Sequence, residues 1–145
     1  VIGDLDGTST MASTVLIGAG TTERLKIDST GSYVAIAWTV TSDARDKTKF
    51  SEVPHGLDFV TKLKPTAYMF KVDRESDVAD GHLRYGFLAQ DILALEGDTP
   101  VIIDSSDTNH LKYNESALIP ILTKAMQEQQ DLIEALTLRL TKAGL

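Results

Sequence analysis

The C-terminal part of the chain carries the strongest hydrophobic periodicity in the sequence. Seven positions step by 3, 4, 3, 4, 3 and 4 residues without a slip, which is the spacing of a coiled-coil seam. The seam consists of Ile119, Leu122, Met126, Gln129, Ile133, Leu136 and Leu140. The polar Gln129 is of the type that sets register and oligomeric state by demanding a partner amide. The pattern therefore predicts a long helix that assembles with other helices.

A second apolar row runs beside this seam. Leu118, Ala125 and Leu132 widen the apolar face beyond what a two-stranded zipper covers. Three chains would bury this face, and so would a seam that also packs on its own globular part. An amphipathic core helix within a single chain is the alternative. The apolar pattern alone leaves these alternatives open.

Charge and composition argue against several classes of partner and ligand. The formal net charge is -7 at pH 7, whereas binding to nucleic acid or to an anionic membrane surface depends on clustered Lys and Arg, which this chain lacks. The longest apolar runs fall far short of the roughly 20 residues that span a bilayer. The chain has no cysteine, and its histidines, His55, His82 and His110, are scattered. We therefore expect no disulfide, no metal site and no cofactor.

The composition changes near residue 42, which divides the chain into two predicted parts. Before it, short apolar groups alternate with Gly, Ser, Thr and Asp, the pattern of short strands joined by tight turns. These groups lie at 15–17, 25–27 and 33–38, and the clearest turn is Asp28-Ser29-Thr30-Gly31. About forty such residues bury too little to be stable alone. We expect residues 1–41 to finish a β-rich body of a larger parent protein, or to pair with the same segment of neighbouring chains, and residues 42–145 to form a separate domain.

The second part predicts a mixture of short helices and short strands. Helices are predicted over 57–63 and 86–95, strands over 66–72, 101–103 and 111–113, and a projecting loop or hairpin tip over 73–81. The first helix stops before Pro65, and the second ends at Gly97 as a left-handed cap. Asn114 or Ser116 can cap the long helix, and Pro120 lies close enough to its first turn to be tolerated. The predicted fold class is α+β: a small mixed helix and strand domain with a projecting hairpin arm and a long C-terminal helix that forms a trimeric bundle or coiled coil.

Ser42 and Lys47 stand five residues apart where the two parts meet. A serine hydroxyl becomes a nucleophile when a neighbouring base takes its proton, and a neutral lysine can be that base. The amine must lose its own proton first, which needs partial burial or nearby positive charge. Arg45 could supply part of that charge, whereas Asp43 and Asp46 would act in the opposite sense unless they are turned away or paired with Arg45.

The peptide bond within reach of this hydroxyl is the one before it. If Ser42 attacks the carbonyl of Thr41, the nucleophile and the bond to be cut are covalently joined, and such proximity lowers a barrier when the geometry is near attack. A backbone N–H or the Gln90 amide is the candidate oxyanion donor. Without further context, the same residues are more often a turn and a solvated lysine.

Several motifs follow one another in the order found in a known family. They are Ser42-Asp43-x-Arg45-x-Lys47, Gly56-Leu57, Lys64-Pro65-x-x-Tyr68, Gly86-Phe87-Leu88-Ala89-Gln90-Asp91, and Tyr113 leading into the long helix. In this order they resemble the C-terminal intramolecular chaperone domain of phage tail spikes and tail fibres, the S74 peptidase family, which also includes the self-cleaving region of myelin regulatory factor. The resemblance covers about residues 42–145, and residues 23–31 resemble the β-structured stem that precedes such domains. Asp91 departs from the family, which often has Glu at this position.

The resemblance implies a self-processing trimerisation chaperone. Such a domain forms a homotrimer, helps three copies of the upstream fibre or spike to intertwine, and then cleaves itself off before the motif serine. Carried over, Ser42 is the nucleophile, Lys47 is the base, and Thr41–Ser42 is the bond cut, with Asp43 and Arg45 as support for the dyad. The chain would then be a self-cleaving serine endopeptidase that acts once, in cis.

The resemblance also implies where the chain works. Residues 1–41 would end the fibre stem, and the charged segment 73–84 would be the arm that reaches along the nascent fibre. The precursor would reside in the host cytoplasm during assembly, and the chaperone part would be absent from the mature virion after cleavage. Two alternatives stay open: a structural trimerisation domain that never cuts, and a host-recognition domain at the fibre tip with the 73–84 arm or the 104–110 loop as its binding surface.

Overall fold

The computed structural model describes residues 15–19, 22–28, 31–34 and 40–144 of the chain. The chain forms two compact units, Val1–Phe50 and Ser51–Leu145. The functional boundary predicted between Thr41 and Ser42 lies within the first unit and stays a prediction.

The first unit contains a three-stranded antiparallel sheet in the order β1-β2-β3. The strands are β1 (Val15–Ala19), β2 (Thr22–Asp28) and β3 (Gly31–Val34). Asp28 pairs with Gly31 across the end of the β2–β3 hairpin, at the turn that the sequence predicted. The strands predicted at 15–17 and 25–27 are confirmed, whereas residues 35–38 lie outside the described residues.

The second unit has the mixed helix and strand composition that the sequence predicted. Its elements are α1 (Leu57–Val60), β4 (Thr66–Tyr68), β5 (Arg84–Gly86), α2 (Ala89–Glu96), β6 (Ile103–Asp104), β7 (Lys112–Tyr113) and α3 (Leu118–Lys142). β4 pairs with β5 and β6 pairs with β7, both antiparallel. Among the described residues, no helix is long and apolar enough to cross a membrane.

One cluster of apolar side chains joins the helices of the second unit. Its buried members are Phe59, Ile92, Ile102, Ile103, Leu118 and Ile121. They come from α1, from α2, from β6 with the residue before it, and from the start of α3. The first turns of α3 therefore belong to the core of a single chain.

A hairpin arm projects between β4 and β5. Beyond Tyr68 the two sides stay together through the hydrogen bonds Val72 N–H to Val78 O at 2.9 Å and Asp80 N–H to Phe70 O at 2.8 Å. Nearly all residues from 70 to 79 are exposed, which confirms the predicted solvated tip. The regular strand ends at Tyr68, four residues before the predicted end at residue 72.

The predicted start of the helix over 86–95 is wrong. Gly86 ends strand β5, and α2 begins three residues later at Ala89. A Cβ at position 86 would lie 3.2 Å from the Tyr68 ring, so the absence of a side chain lets that ring cover the strand. α2 ends at Gly97 as predicted, and the Gly97 N–H donates to Leu93 O. Gly97 has a positive φ of 72, but its ψ of -140 differs from that of the predicted left-handed cap.

The carboxylate of Glu96 organises the segment after α2. It is buried and accepts hydrogen bonds from the N–H groups of Val101, Ile102 and Ile103 at 2.7, 2.7 and 3.0 Å. A buried carboxylate needs such donors to replace water. Glu96 therefore fixes the connection from α2 to β6.

The predicted side-chain caps of α3 are wrong. Neither Asn114 nor Ser116 caps the helix, because a 3₁₀ turn over Glu115–Ala117 precedes it and the Ser116 hydroxyl donates to Asn114 Oδ1 at 2.8 Å. Pro120 is the third residue of α3, and the helix continues to Lys142. This agrees with the tolerance for proline in a first turn, where its missing N–H has no helical partner to lose.

Candidate functional site

A tight turn brings the ends of the Ser42–Lys47 motif together. Residues Ala44–Asp46 form a 3₁₀ turn, which Asp43 caps by accepting the N–H of Arg45 on Oδ1 at 2.9 Å. The turn closes when the N–H of Lys47 donates to Ala44 O at 3.2 Å. Asp is a preferred capping residue because its short side chain reaches the free N–H groups of the next turn.

Ser42 and Lys47, the predicted nucleophile and base, are in direct contact. Lys47 Nζ donates a hydrogen bond to Ser42 Oγ at 2.6 Å. Both residues and Thr41 are exposed in the single chain. The distance is within the reach that proton transfer between a nucleophile and its base requires.

Asp43 and Arg45 neutralise each other beside this pair. Arg45 Nη2 lies 2.6 Å from Asp43 Oδ2, and its Nε lies 3.0 Å from Oδ1. The Arg45 side chain, and then its backbone N–H, lower the pKa of the Asp43 carboxyl, while Asp43 raises the pKa of Arg45. The pairing that the sequence left open for Asp43 is therefore present, and the ion pair holds the turn.

Gln90, the candidate oxyanion donor, lies elsewhere in the chain. It is an exposed residue in the first turn of α2 and belongs to the second unit, whereas Ser42 belongs to the first. Its catalytic role stays a prediction.

The α3 seam is uncovered in the single chain. Its six apolar residues are between 42% and 71% exposed, and Gln129 is exposed with them. In the neighbouring row, Leu118 and Ala125 are buried together with Ile121, whereas Leu132 is exposed. We call Leu118, Ile121 and Ala125 the buried row. The single chain buries α3 through the buried row and leaves the seam exposed, so assembly through the seam stays a prediction.

The remaining motifs hold the second unit together. Lys64 Nζ lies 3.2 Å from Asp91 Oδ1, so the Lys64-Pro65 motif and the motif that ends at Asp91 are joined by an ion pair. Tyr68 covers Gly86 between the same two motifs. Sequence spacing could not predict these two contacts, because the residues of each contact lie on different elements of the chain.

The Gly56-Leu57 motif depends on α3. The N–H of Leu57, at the start of α1, donates to Glu128 Oε2 at 2.6 Å. Lys124, one turn earlier on α3, donates to Val53 O at 2.7 Å. Neither contact has a local sequence signal, because the partners are 71 residues apart.

These features define a class of protein: a small α+β unit preceded by an exposed serine–lysine pair and followed by a helix with an uncovered apolar seam. Residues 42–98 match the Peptidase_S74 family model, which is described as chaperone of endosialidase. The match confirms, over these residues, the resemblance found in the sequence. The match begins at Ser42 and ends just after α2, and α3 lies outside it. No curated protein and no solved structure matches the chain.

Proposed function

We propose that the chain is a self-releasing assembly chaperone of a phage tail fibre or spike. The α3 seam joins three copies, the assembly guides the folding of the β-structured segments upstream, and each chain then cuts itself between Thr41 and Ser42. The observation that carries this proposal is the 2.6 Å hydrogen bond between Lys47 Nζ and Ser42 Oγ. It lies inside the segment that matches the family described as chaperone of endosialidase.

The cut follows from the chemistry of the two side chains. A neutral Lys47 amine takes the proton of the Ser42 hydroxyl while the oxygen attacks the carbonyl carbon of Thr41. The C–N bond then breaks, the Ser42 nitrogen takes the proton back from Lys47, and the Thr41 carbonyl is left as an ester on Ser42 Oγ. Water hydrolyses this ester to the Thr41 carboxylate and the free Ser42 hydroxyl. Because the attacking oxygen and the bond belong to neighbouring residues, the first step is unimolecular.

Assembly supplies a condition that the single chain lacks. Ser42 and Lys47 are both exposed to water there. Removal of an amine from water favours its neutral form. Three chains gathered along the seam would crowd their cleavage segments and exclude water, so that cutting follows assembly.

Assembly before cleavage gives a physical reason for a chaperone domain that is released from the finished fibre. Chains that must intertwine through non-local β pairing search slowly and expose strands that aggregate. A helical seam, with local contacts, forms first and sets the register of the three chains. Cutting afterwards removes the template, so the finished fibre cannot unfold by simple reversal and its persistence becomes kinetic.

The test is a comparison of Ser42→Ala with Ser51→Ala, a matched change at an exposed serine just downstream. The unsubstituted chain and Ser51→Ala should give two fragments on denaturing gels after folding, and Ser42→Ala one uncut chain. All three should sediment as trimers. A single full-length species from a trimeric unsubstituted chain would refute self-cleavage.

A second candidate, recognition of a host surface by a chain that stays uncut, is favoured by one observation. The arm and the 104–110 loop meet, since Arg74 donates to Asn109 O and contacts His110 Nε2 at 2.9 Å. Between them and the start of α2 lies a cleft of about 540 Å³ lined by aromatic and polar side chains such as Phe70 and Gln90. Binding of the purified chain to host cells that is lost in Arg74→Ala, with no fragments on gels, would favour this candidate.

A further inference from the structure

Two side chains of α3 hold the segment between the candidate site and α1. Lys124 Nζ binds Val53 O, and Glu128 Oε2 binds the N–H of Leu57. The two side chains are partly buried, at 31% and 41% exposed, and Lys124 Nζ lies 3.8 Å from Glu128 Oε1. We call this pair of contacts the α3 clip.

The clip is built into the local structure and is more than a surface ion pair. Gly56 is the N-cap residue of α1 and has no side chain with which to cap it, so the Glu128 carboxylate takes that place. A Cβ at position 56 would overlap this carboxylate. α1 has only four residues, too few for a helix to be stable by itself, so its first turn depends on Glu128.

The clip and the seam lie on the same helix. Helical periodicity puts Lys124 and Glu128 on one flank of the buried row and the seam on the other flank. The buried row fixes α3 to the core of its own chain. The clip contacts with residues 53–57 can therefore persist when the seam is buried in an assembly.

The clip shortens the tether to the candidate site. From Lys47 to Val53 the chain advances six residues, all exposed up to Glu52, and so spans at most about 20 Å. Without the clip, Val53 keeps only its partly buried packing against the core cluster, and the first buried residue is Phe59, twelve residues from Lys47. The effective concentration of the three cleavage segments near one another, on which the exclusion of water depends, falls roughly as the −3/2 power of tether length. A doubled tether therefore lowers this concentration by up to about threefold.

We propose that Lys124 and Glu128 are positioning residues for self-cleavage. They anchor the chain downstream of Lys47 to a fixed point on the assembling helix, and they thereby couple assembly through the seam to the reaction at Ser42. This inference rests on the proposed function. It adds the contacts that link assembly through the seam to cleavage at Ser42.

The experiment combines Lys124→Met with Glu128→Ala in the full chain. Lys142→Met with Glu134→Ala is the matched control, since both residues lie on exposed positions of α3 away from residues 53–57. The clip variant should form trimers as the unsubstituted chain does, be cut more slowly by up to about threefold, and show faster amide exchange over residues 51–57. Glu128→Gln, which keeps an oxygen acceptor for the Leu57 N–H, should restore most of the rate when Lys124 is present, and the control pair should leave it unchanged.

Three outcomes would overturn the coupling. The first is an unchanged cutting rate in a clip variant that assembles, and the second is slower cutting without faster exchange over residues 51–57. If the clip variant fails to assemble, Gly56→Ala displaces the Glu128 carboxylate without changing α3, and an unchanged rate there is the third. In these cases the unsubstituted chain is still cut, whereas an unsubstituted trimer that stays uncut refutes the proposed function and the coupling with it.

Discussion

Gly56→Ala measures how far α1 depends on the carboxylate of Glu128. A Cβ at position 56 would overlap that carboxylate, so the flexible Glu128 side chain must swing away from the N–H of Leu57, which it now meets at 2.6 Å. The first turn of α1 then has a donor without its acceptor.

The size of the effect follows from the type of contact. Removing a hydrogen bond to a charged group costs about 1.5–3 kcal/mol. The Glu128 side chain is 41% exposed, so water replaces part of the lost interaction, and we expect about 1–2 kcal/mol. In a domain of this size each kcal/mol lowers the melting temperature by roughly 4–8 °C.

A double-mutant cycle isolates this contact. Thermal unfolding would be followed by far-ultraviolet circular dichroism, at one chain concentration, in the uncut Ser42→Ala chain with Gly56→Ala, Glu128→Ala, both or neither. Any backbone preference of alanine at position 56 is present in both backgrounds and cancels. We expect Gly56→Ala to cost about 1–2 kcal/mol more when Glu128 is present than when it is absent. Equal costs in the two backgrounds would refute the contact.

The dyad, the seam and the turn each give a further prediction. Lys47→Ala and Lys47→Arg should both leave trimers intact but uncut on denaturing gels, because alanine has no base and a guanidinium keeps its proton at any working pH. Ile133→Asp should abolish both trimers in sedimentation and cutting, since it places a carboxylate from each chain in the seam, whereas Leu138→Asp, at an exposed position off the seam, should leave both unchanged. Arg45 lowers the pKa of Asp43, so the Asp43 carboxylate should stabilise the turn at pH values above the ordinary Asp pKa of 3.8. This contribution should be lost as the pH falls through the lowered pKa. The Asp43 titration midpoint, followed by nuclear magnetic resonance, should lie below 3.8, and Arg45→Ala should raise that midpoint.

The elements with strong local signals could be predicted from the sequence. The uninterrupted 3-and-4 spacing of the seam predicted α3, and Gly97 predicted the end of α2, because both patterns act within a few residues. Strand β5 was missed because Gly86 also suits the approach to a helix. Its strand conformation comes from pairing with β4 across the arm, and no short window of sequence contains that pairing.

The candidate site divides in the same way. The contact between Ser42 and Lys47 was expected from the resemblance to the family, since the spacing alone is more typical of a turn and a solvated lysine. The Asp43 cap that closes the turn is a local preference that sequence can suggest. The α3 clip could not be predicted, because Glu128 and Lys124 are common residues on a helix surface and their partners are backbone groups 71 residues away. Such contacts follow from the packing of the core, which first places α3 beside α1.

Intact-mass measurement of the folded, unsubstituted chain tests the central claim most directly. Self-cleavage by the dyad predicts two masses, for residues 1–41 and 42–145, which sum to the mass of the chain plus one water, with serine at the new N-terminus. The Ser42→Ala chain should give one undivided mass under the same conditions. A trimeric sample of the unsubstituted chain that shows only the undivided mass, or one that is cut at another bond, would contradict the account.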